Sequence, residues 1–426
     1  MSVKDNASIA LIPSGYKSGK LFSVIPDSGN GDFTHSRGST ATRVAASGLI
    51  ETVASGVPRL DYPLIDGVVQ TCPALLLEPS RTNLITYSED FTQSVWTKNN
   101  VTISANSTIS PYGALTASTL ENGTGNKRLQ FTLTTTTSST YNVFVFFKAK
   151  DTSAEGSIIA YNSSFTPLSY AEYNVQNGTI GTSSGTSSME NYGNGWYRCR
   201  LEFTATTTTS YIRFRVGNYL TGDDNKDIFI FGSQVELGSY ATSYIPTSGS
   251  TATRSADVCN GSGTSAEFND SEGVLFIESS NISNDGTFKF VALSDGTLNN
   301  TVWIYYRSDT NQINFRVLSG GSTSFDQIYT INDSTLISKL CLKYKENDFS
   351  AFVNGFKVLT DTSGSTFSSG TLTTLEFNRQ DDTNFFYGKT KQLITFNQAL
   401  TDSELETLTS YDSFDDMATG QLYTIE

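Results

Sequence analysis

The sequence predicts an all-β protein, with an N-terminal anchoring segment followed by two β-sandwich domains and one short C-terminal helix. Three observations carry that expectation. Thr and Ser are abundant, Phe and Tyr number 27 and 21, and 34 Gly are available for turns, a composition suited to half-buried strands rather than helices. Runs that alternate apolar and polar residues recur at short intervals between turn residues. The hexapeptide Gly-Ser-Thr-Ala-Thr-Arg occurs twice, at Gly38 to Arg43 and at Gly249 to Arg254, each time where the local pattern changes.

A chain of 426 residues exceeds what one hydrophobic core organises. The pattern changes place an N-terminal segment at 1–83, a middle domain at 84–247 and a C-terminal domain at 248–426. Hydrophobic residues at 37%, aromatics at 12%, suffice for thin sandwich cores. The formal charge of −14 opposes the positive field on which nucleic acids and anionic membranes depend. No stretch approaches the roughly 20 apolar residues of a membrane span, so neither nucleic-acid binding nor membrane insertion is expected. The start, Met1 to Asn6, lacks the basic and apolar regions of a secretory signal, which predicts synthesis without export. Cys72, Cys199, Cys259 and Cys341 are scattered, with no Cys-x-x-Cys, and read as buried free thiols.

In the N-terminal segment the density of Pro and Gly argues against long elements. Its short strands would be marginal alone and need a neighbour or another subunit. The succession Leu11-Ile12-Pro13-Ser14-Gly15-Tyr16-Lys17, Ser39-Thr40-Ala41-Thr42-Arg43-Val44, Gly48-Leu49-Ile50-Glu51, Pro58-Arg59-Leu60-Asp61-Tyr62 and Leu77-Glu78-Pro79-Ser80-Arg81-Thr82-Asn83-Leu84 resembles a segment of structural proteins of tailed bacteriophages. Those proteins serve as virion fibres, tail proteins or decoration proteins. The resemblance covers most of residues 7–97 and reappears at Thr242-Ser243-Tyr244-Ile245-Pro246-Thr247, which is similar to the closing phrase of that family's carbohydrate-binding-like module. It implies a protein made in the host cytoplasm and resident in the virion, with capsid, portal or tail proteins as partners.

The middle domain reads as successive strands with Thr-rich corners. Leu129 to Leu133 followed by Thr134 to Thr137 is echoed by Leu201 to Ala205 followed by Thr206 to Thr209, a pattern that fits a jelly roll of roughly eight to ten strands of the carbohydrate-binding-module type. Because successive side chains in a strand point to opposite sides, Tyr197, Cys199, Leu201 and Phe203 are expected in the core, with Trp196, Arg198, Arg200 and Glu202 outward. In the next strand Ile212, Phe214 and Val216 face in, and Tyr211, Arg213 and Arg215 face out. This concentration of Arg and aromatic groups is a candidate glycan site, since flat rings stack on sugar C–H faces and guanidinium groups donate to hydroxyls or carboxylates. The alternative is that these arginines pair with local acids or a neighbouring subunit. Asp223, Asn225 and Asp227 are spaced like the first half of a calcium loop, but no Gly or bidentate Glu follows at the required offsets. A surface turn is the simpler reading, with no cofactor required and a structural Ca²⁺ left open.

The C-terminal domain carries another all-β pattern. Asn354-Gly355 between two strand-like runs signals a two-residue hairpin, and Thr401-Asp402-Ser403-Glu404 offers a capping box for one short helix. This order of features resembles the laminin-G-like or concanavalin-A-like sandwich over most of residues 270–411, a resemblance that implies fold more than ligand. Trp303 is either core or, less simply, a sugar platform.

Catalysis is not expected. The one histidine, His35, lies without a nucleophile and carboxylate pattern, the pair Asp381-Asp382 reads as a solvated turn, and no β-helix repeat is visible. The function predicted is that of a virion fibre or decoration protein contributing to adhesion to host-surface glycan, a weak contact made strong by multivalent display as a symmetric homo-oligomer, with a trimer as first choice. The alternatives are a purely architectural capsid or tail decoration protein and a glycan-cleaving tail enzyme.

Overall fold

Alternation builds the middle domain from two six-stranded antiparallel sheets in a computed structural model that describes residues 3–125, 127–150, 155–220, 222–223, 225–413, 417–418 and 420–421. The sheet here termed distal runs, in spatial order, Trp96–Asn99, Arg128–Thr134, Thr209–Val216, Glu155–Asn162, Pro167–Asn174 and Thr179–Ser184. The proximal sheet runs Val101–Ile109, Leu115–Asn122, Asp227–Leu237, Thr140–Ala149, Trp196–Thr204 and Ser187–Asn191. Their inner faces supply Val143, Val145, Phe147, Ile158, Cys199, Leu201, Phe203, Ile212 and Phe214 to one core, as the period of two requires. Tyr197 is partly buried against it. At each lateral edge, strands consecutive in the chain belong to different sheets, so turns close the sides of the sandwich.

The C-terminal sandwich sets an eight-stranded sheet against a five-stranded one. Asn354 (φ 50°) and Gly355 (φ 91°) turn Phe349–Val353 into Phe356–Asp361, both at the positive φ that a type I′ turn needs. The helix Asp402–Thr409 begins at the expected capping box: Thr401 Oγ1 accepts from Glu404 N, and Glu404 Oε2 accepts from Thr401 N at 2.8 Å. Leu405 and Leu408 then bury that helix against the eight-stranded sheet, beside Phe276 and Phe352.

The N-terminal residues are built into this C-terminal sandwich. Ile9–Leu11 and Ala74–Leu77 both pair with Gly388–Phe396, Leu60–Asp61 extends the sheet, and Phe33–Ser36 pairs with Val258–Asn260. Ile9, Leu11, Leu21, Phe33, Leu75 and Leu77 share one core with Leu275, Ile277, Leu340 and Leu393. Strands of two to four residues bury too little alone; added to an existing sheet they complete its core. All four cysteines are free, and Cys199, Cys259 and Cys341 are buried. Cys72 is exposed, against expectation, because it follows the hairpin formed by Leu64–Ile65 and Val68–Val69 rather than lying in a sheet.

Candidate glycan-binding face

The arginines and aromatics expected as one exposed set are divided between the two outer faces of the middle sandwich. Trp196–Thr204 pairs with Thr140–Ala149 in the proximal sheet, whereas Thr209–Val216 pairs with Arg128–Thr134 and Glu155–Asn162 in the distal sheet. Residues 205–208 are therefore a corner between sheets, not a hairpin turn. Side chains pointing outward before and after that corner point away from each other.

The proximal outer face is covered by the chain itself. Trp196, expected outward and exposed, is 2% exposed and packs with Ile50, Phe144, Phe146, Phe231 and Tyr244, donating Nε1–H to Ile109 O at 3.0 Å. Arg198 donates to both carboxylate oxygens of Glu190 at 2.7 Å and to Thr242 O at 3.1 Å. Arg200 donates to Glu202 at 3.2 Å and to Ser239 O. These three serve packing and internal ion pairing: Ile50 and Tyr244 pack with Trp196, and Thr42 donates to Tyr244 O, so the stretches 41–53 and 238–247 lie over this part of the sheet.

Beneath that cover is a buried charged joint. Arg59 donates to Glu78 at 2.6 Å and to Asp257; Arg37 donates to Asp257 at 2.9 Å, and Arg254 lies 2.9 Å from Glu78. Ser243 donates N–H to Glu78 at 2.8 Å, and Arg254 donates to Thr242 Oγ1 and Ser243 Oγ. Burial alone would raise the Glu78 carboxyl, but the charges of Arg254 and Arg59 outweigh it and hold its pKa at about 2. Asp257 is likewise held low against burial by Arg59 and by His35 and Arg37. Nearby, Asn83 donates to Ser233 O and Ile245 O while accepting from Ile85 N and Val235 N. Residues of the stretches 58–62, 77–84 and 242–247 thus meet at this joint. His35 is part of it, with Nε2 3.4 Å from Asp257 and Nδ1 3.1 Å from Gly56 O.

The distal outer face differs. Tyr211 is half-buried and stacks on Phe165, ring centroids 4.6 Å apart and planes 9° from parallel; Phe165 is 51% exposed. A second stack, Tyr170 on Tyr219, has centroids 3.8 Å apart. Between them Arg213 lies over Tyr161 at 4.3 Å and Phe165 at 5.0 Å, and its Nε donates to Gln130 Oε1 at 2.7 Å. Arg215 donates Nη1 to the carbonyls of Tyr219 and Leu220. Arg213 and Arg215, expected to be exposed, are 6% and 2% exposed: they form the floor of the face, and the loops carrying Phe165, Tyr219 and Leu220 lap over them. Arg128 remains half-exposed beside them. Tyr161, Tyr170, Phe165, Tyr219 and Arg128 escape the sequence reading; the outward positions Tyr161 and Tyr170 were available from alternation, but Phe165 and Tyr219 arrive from loops.

Trp303 is 3% exposed, on the outer side of its sheet but covered by Phe288, Phe290, Tyr305 and Leu318, with Nε1 donating to Gln380 Oε1 at 3.0 Å. It is no exposed platform, because the loop bearing Gln380 closes over it. Of the calcium-like residues, Asp227 is ion-paired to Lys150 at 2.7 Å and Asp223 accepts from Asn218 at 3.3 Å, while Asn225 adopts φ 53° in the turn; Asp224 lies outside the described residues. Among the described residues no group of three His, Cys, Asp or Glu side chains is placed to share a metal ion. Asp381 accepts from Thr383 and belongs to a turn, as its neighbour Asp382 does. A cleft of about 470 Å³ between Asn162, Pro167, Ser169, Gly185 and Thr204 has Glu202 as its one lining carboxylate, short of the pair that glycoside hydrolysis uses.

No protein-family model matches the chain, and no curated protein matches it. Among solved structures, the Ruminococcus gnavus IT-sialidase CBM40 bound to α2,3-sialyllactose is 14% identical over 36% of this chain and 94% of that one, with a TM-score of 0.30. Domain 4 of the extracellular GH43 arabinanase AbnA from Geobacillus stearothermophilus, in complex with arabinotriose, is 12% identical over 40% and 82%, with a TM-score of 0.26. Mouse laminin α1 chain domains LG4-5 are 12% identical over 68% and 89%, with a TM-score of 0.24. At these scores the likenesses fix neither ligand nor partner for this chain.

Proposed function

We propose that the protein is a bacteriophage virion structural protein, a fibre or decoration, whose middle sandwich adheres to host-surface glycan through its distal face. The observation that carries the adhesive reading is the accessible Phe165–Tyr211 stack above Arg213: a flat apolar step beside fixed donors suits the C–H face and hydroxyls of a pyranose. One such face binds weakly, and many copies on one particle, each a symmetric homo-oligomer with a trimer as first choice, make attachment strong through effective concentration. The virion assignment is supported by the motif succession in residues 7–97 and 242–247. Capsid, portal or tail proteins would be its partners. This is a binding role, not an enzymatic one.

The purely architectural reading has an observation of its own: Trp196, Arg198 and Arg200 are all engaged within the chain. Glycan-array binding of the purified protein, beside Phe165→Ala/Tyr211→Ala and with light scattering, separates the two. Binding that disappears in a variant of unchanged oligomeric state supports adhesion. Absence of binding by the unaltered protein leaves the architectural role.

A further inference from the structure

The distal face holds positive charge that no carboxylate among the described residues neutralises. The register that pairs Leu129 with Phe214 and Gln130 with Arg213 sets Arg128 opposite Arg215, and like charges directly across a strand pair repel. Among the described residues none of Arg128, Arg213 and Arg215 has a carboxylate partner. Glu172, the acid two strands away, is engaged elsewhere: Oε1 accepts from Tyr219 N at 3.0 Å and Oε2 from Thr182 N at 3.3 Å. In a chain with 42 acidic and 28 basic residues, carboxylates were available, and on the proximal face Arg198 and Arg200 each have one. Burial first, and then the neighbouring guanidinium charges, pull Arg213 and Arg215 below the ordinary arginine value.

We infer that the distal face takes an anionic glycan, with a sugar ring on the Phe165–Tyr211 step and a carboxylate or sulfate group at the half-exposed Arg128, to whose positive field the buried Arg215 across the strand pair adds. Arg128 lies opposite Arg215, which is four residues from Tyr211 on one strand, so the ring step and the anion contact are roughly 13 Å apart at about 3.3 Å per residue. The ligand is therefore an oligosaccharide of at least two units, not a monosaccharide. A planar guanidinium matches either oxyanion with paired N–H donors. The inference rests on the adhesive reading of this same face.

The test is an array in which each acidic glycan is paired with its neutral counterpart: a uronate oligomer with its methyl ester, a sialylated glycan with its desialylated core, a sulfated chain with its desulfated form. The full chain should bind at least one acidic member tenfold or more tightly than its counterpart, less so as salt is raised. Arg128→Gln should erase most of that preference at an unchanged melting temperature, and Arg128→Lys should restore part of it. The carboxylate and sulfate arms tell which anion is read. Equal affinity for acidic and neutral members overturns the inference while leaving glycan adhesion standing; no binding anywhere on the array overturns both. If Arg128→Gln unfolds the protein, acid-over-neutral preference and its salt dependence in the unaltered chain still decide.

Discussion

The two outer faces of the middle sandwich begin from the same sequence pattern and end with different chemistry. Each presents aromatic and Arg side chains at alternate positions, in Trp196–Thr204 on one side and Thr209–Val216 on the other. On the proximal side the arginines find Glu190 and Glu202, and the tryptophan disappears beneath Ile50 and Tyr244. On the distal side they find a glutamine, tyrosine rings and backbone carbonyls. Alternation decides which side of a strand a residue occupies; what covers that side is decided by segments distant in the chain. An arginine is ion-paired where acids reach it, and where they do not it rests on rings and carbonyls with its charge unneutralised by a carboxylate among the described residues.

The comparison is broken most severely at the joint. Arg254 is buried against Glu78, Thr242 and Ser243, and Arg254→Met leaves Glu78 short of one of its two guanidinium partners. Removing one side of a buried pair costs about 3–5 kcal/mol, which urea denaturation would record as a lower midpoint. An unchanged midpoint would show that the joint does not hold the proximal cover in place. Trp196→Ala tests the same face by packing, with an expected loss of about 3–5 kcal/mol, whereas Tyr211→Ala on the distal face should cost under about 1 kcal/mol while abolishing glycan binding. Equal destabilisation by both would mean that the faces do not differ as described.

Acid should act on the joint before the distal face. The ordinary Glu78 value is 4.5 and the folded value about 2, a depressed pKa, so its contribution is full above 4.5 and lost as pH falls toward 2. The difference corresponds to on the order of 3 kcal/mol. Asp257 shifts in the same sense. Glu236, fully buried, is raised by desolvation despite the opposing charge of Arg254, so its contribution runs the other way and partly offsets theirs. Melting temperature against pH for Glu78→Gln beside the unaltered protein isolates one carboxylate: the variant should be less stable at neutral pH and converge on the parent near pH 2. Parallel curves would remove Glu78 as a titrating element of the joint.

How far the sequence reveals this architecture depends on the range of each interaction. The Asn354-Gly355 hairpin and the Thr401 to Glu404 capping box are settled by φ preference and hydrogen bonds within a few residues, and both are where the pattern puts them. The inward set Cys199, Leu201, Phe203, Ile212 and Phe214 follows from a period of two. A Thr-rich link such as 205–208 looks the same whether its strands share a sheet or not, so alternation alone groups the arginines on either side of it as one set. The distal site was half legible for a related reason: Tyr211, Arg213 and Arg215 lie on one strand, while Phe165 and Tyr219 reach it from loops whose path depends on the whole sandwich.

The two hexapeptides sharpen the same point at the smallest scale. Arg43 and Arg254 close identical six-residue stretches, and both follow a Thr in a short strand. Arg254 points into the joint, whereas Arg43 reaches Glu51 across a two-stranded hairpin, at 2.5 Å and beside a carboxylate side chain that is 41% exposed. An ion pair with one solvated partner contributes roughly 0–1 kcal/mol, so Arg43→Ala should shift the urea midpoint only slightly, by far less than Arg254→Met. A double-mutant cycle with Glu51→Ala should return a coupling of similarly small size. Were Arg43 to matter as much as Arg254, the shared sequence would be setting its own energetics. A small effect assigns the difference to what surrounds each copy, the same cause that separates the covered face from the open one.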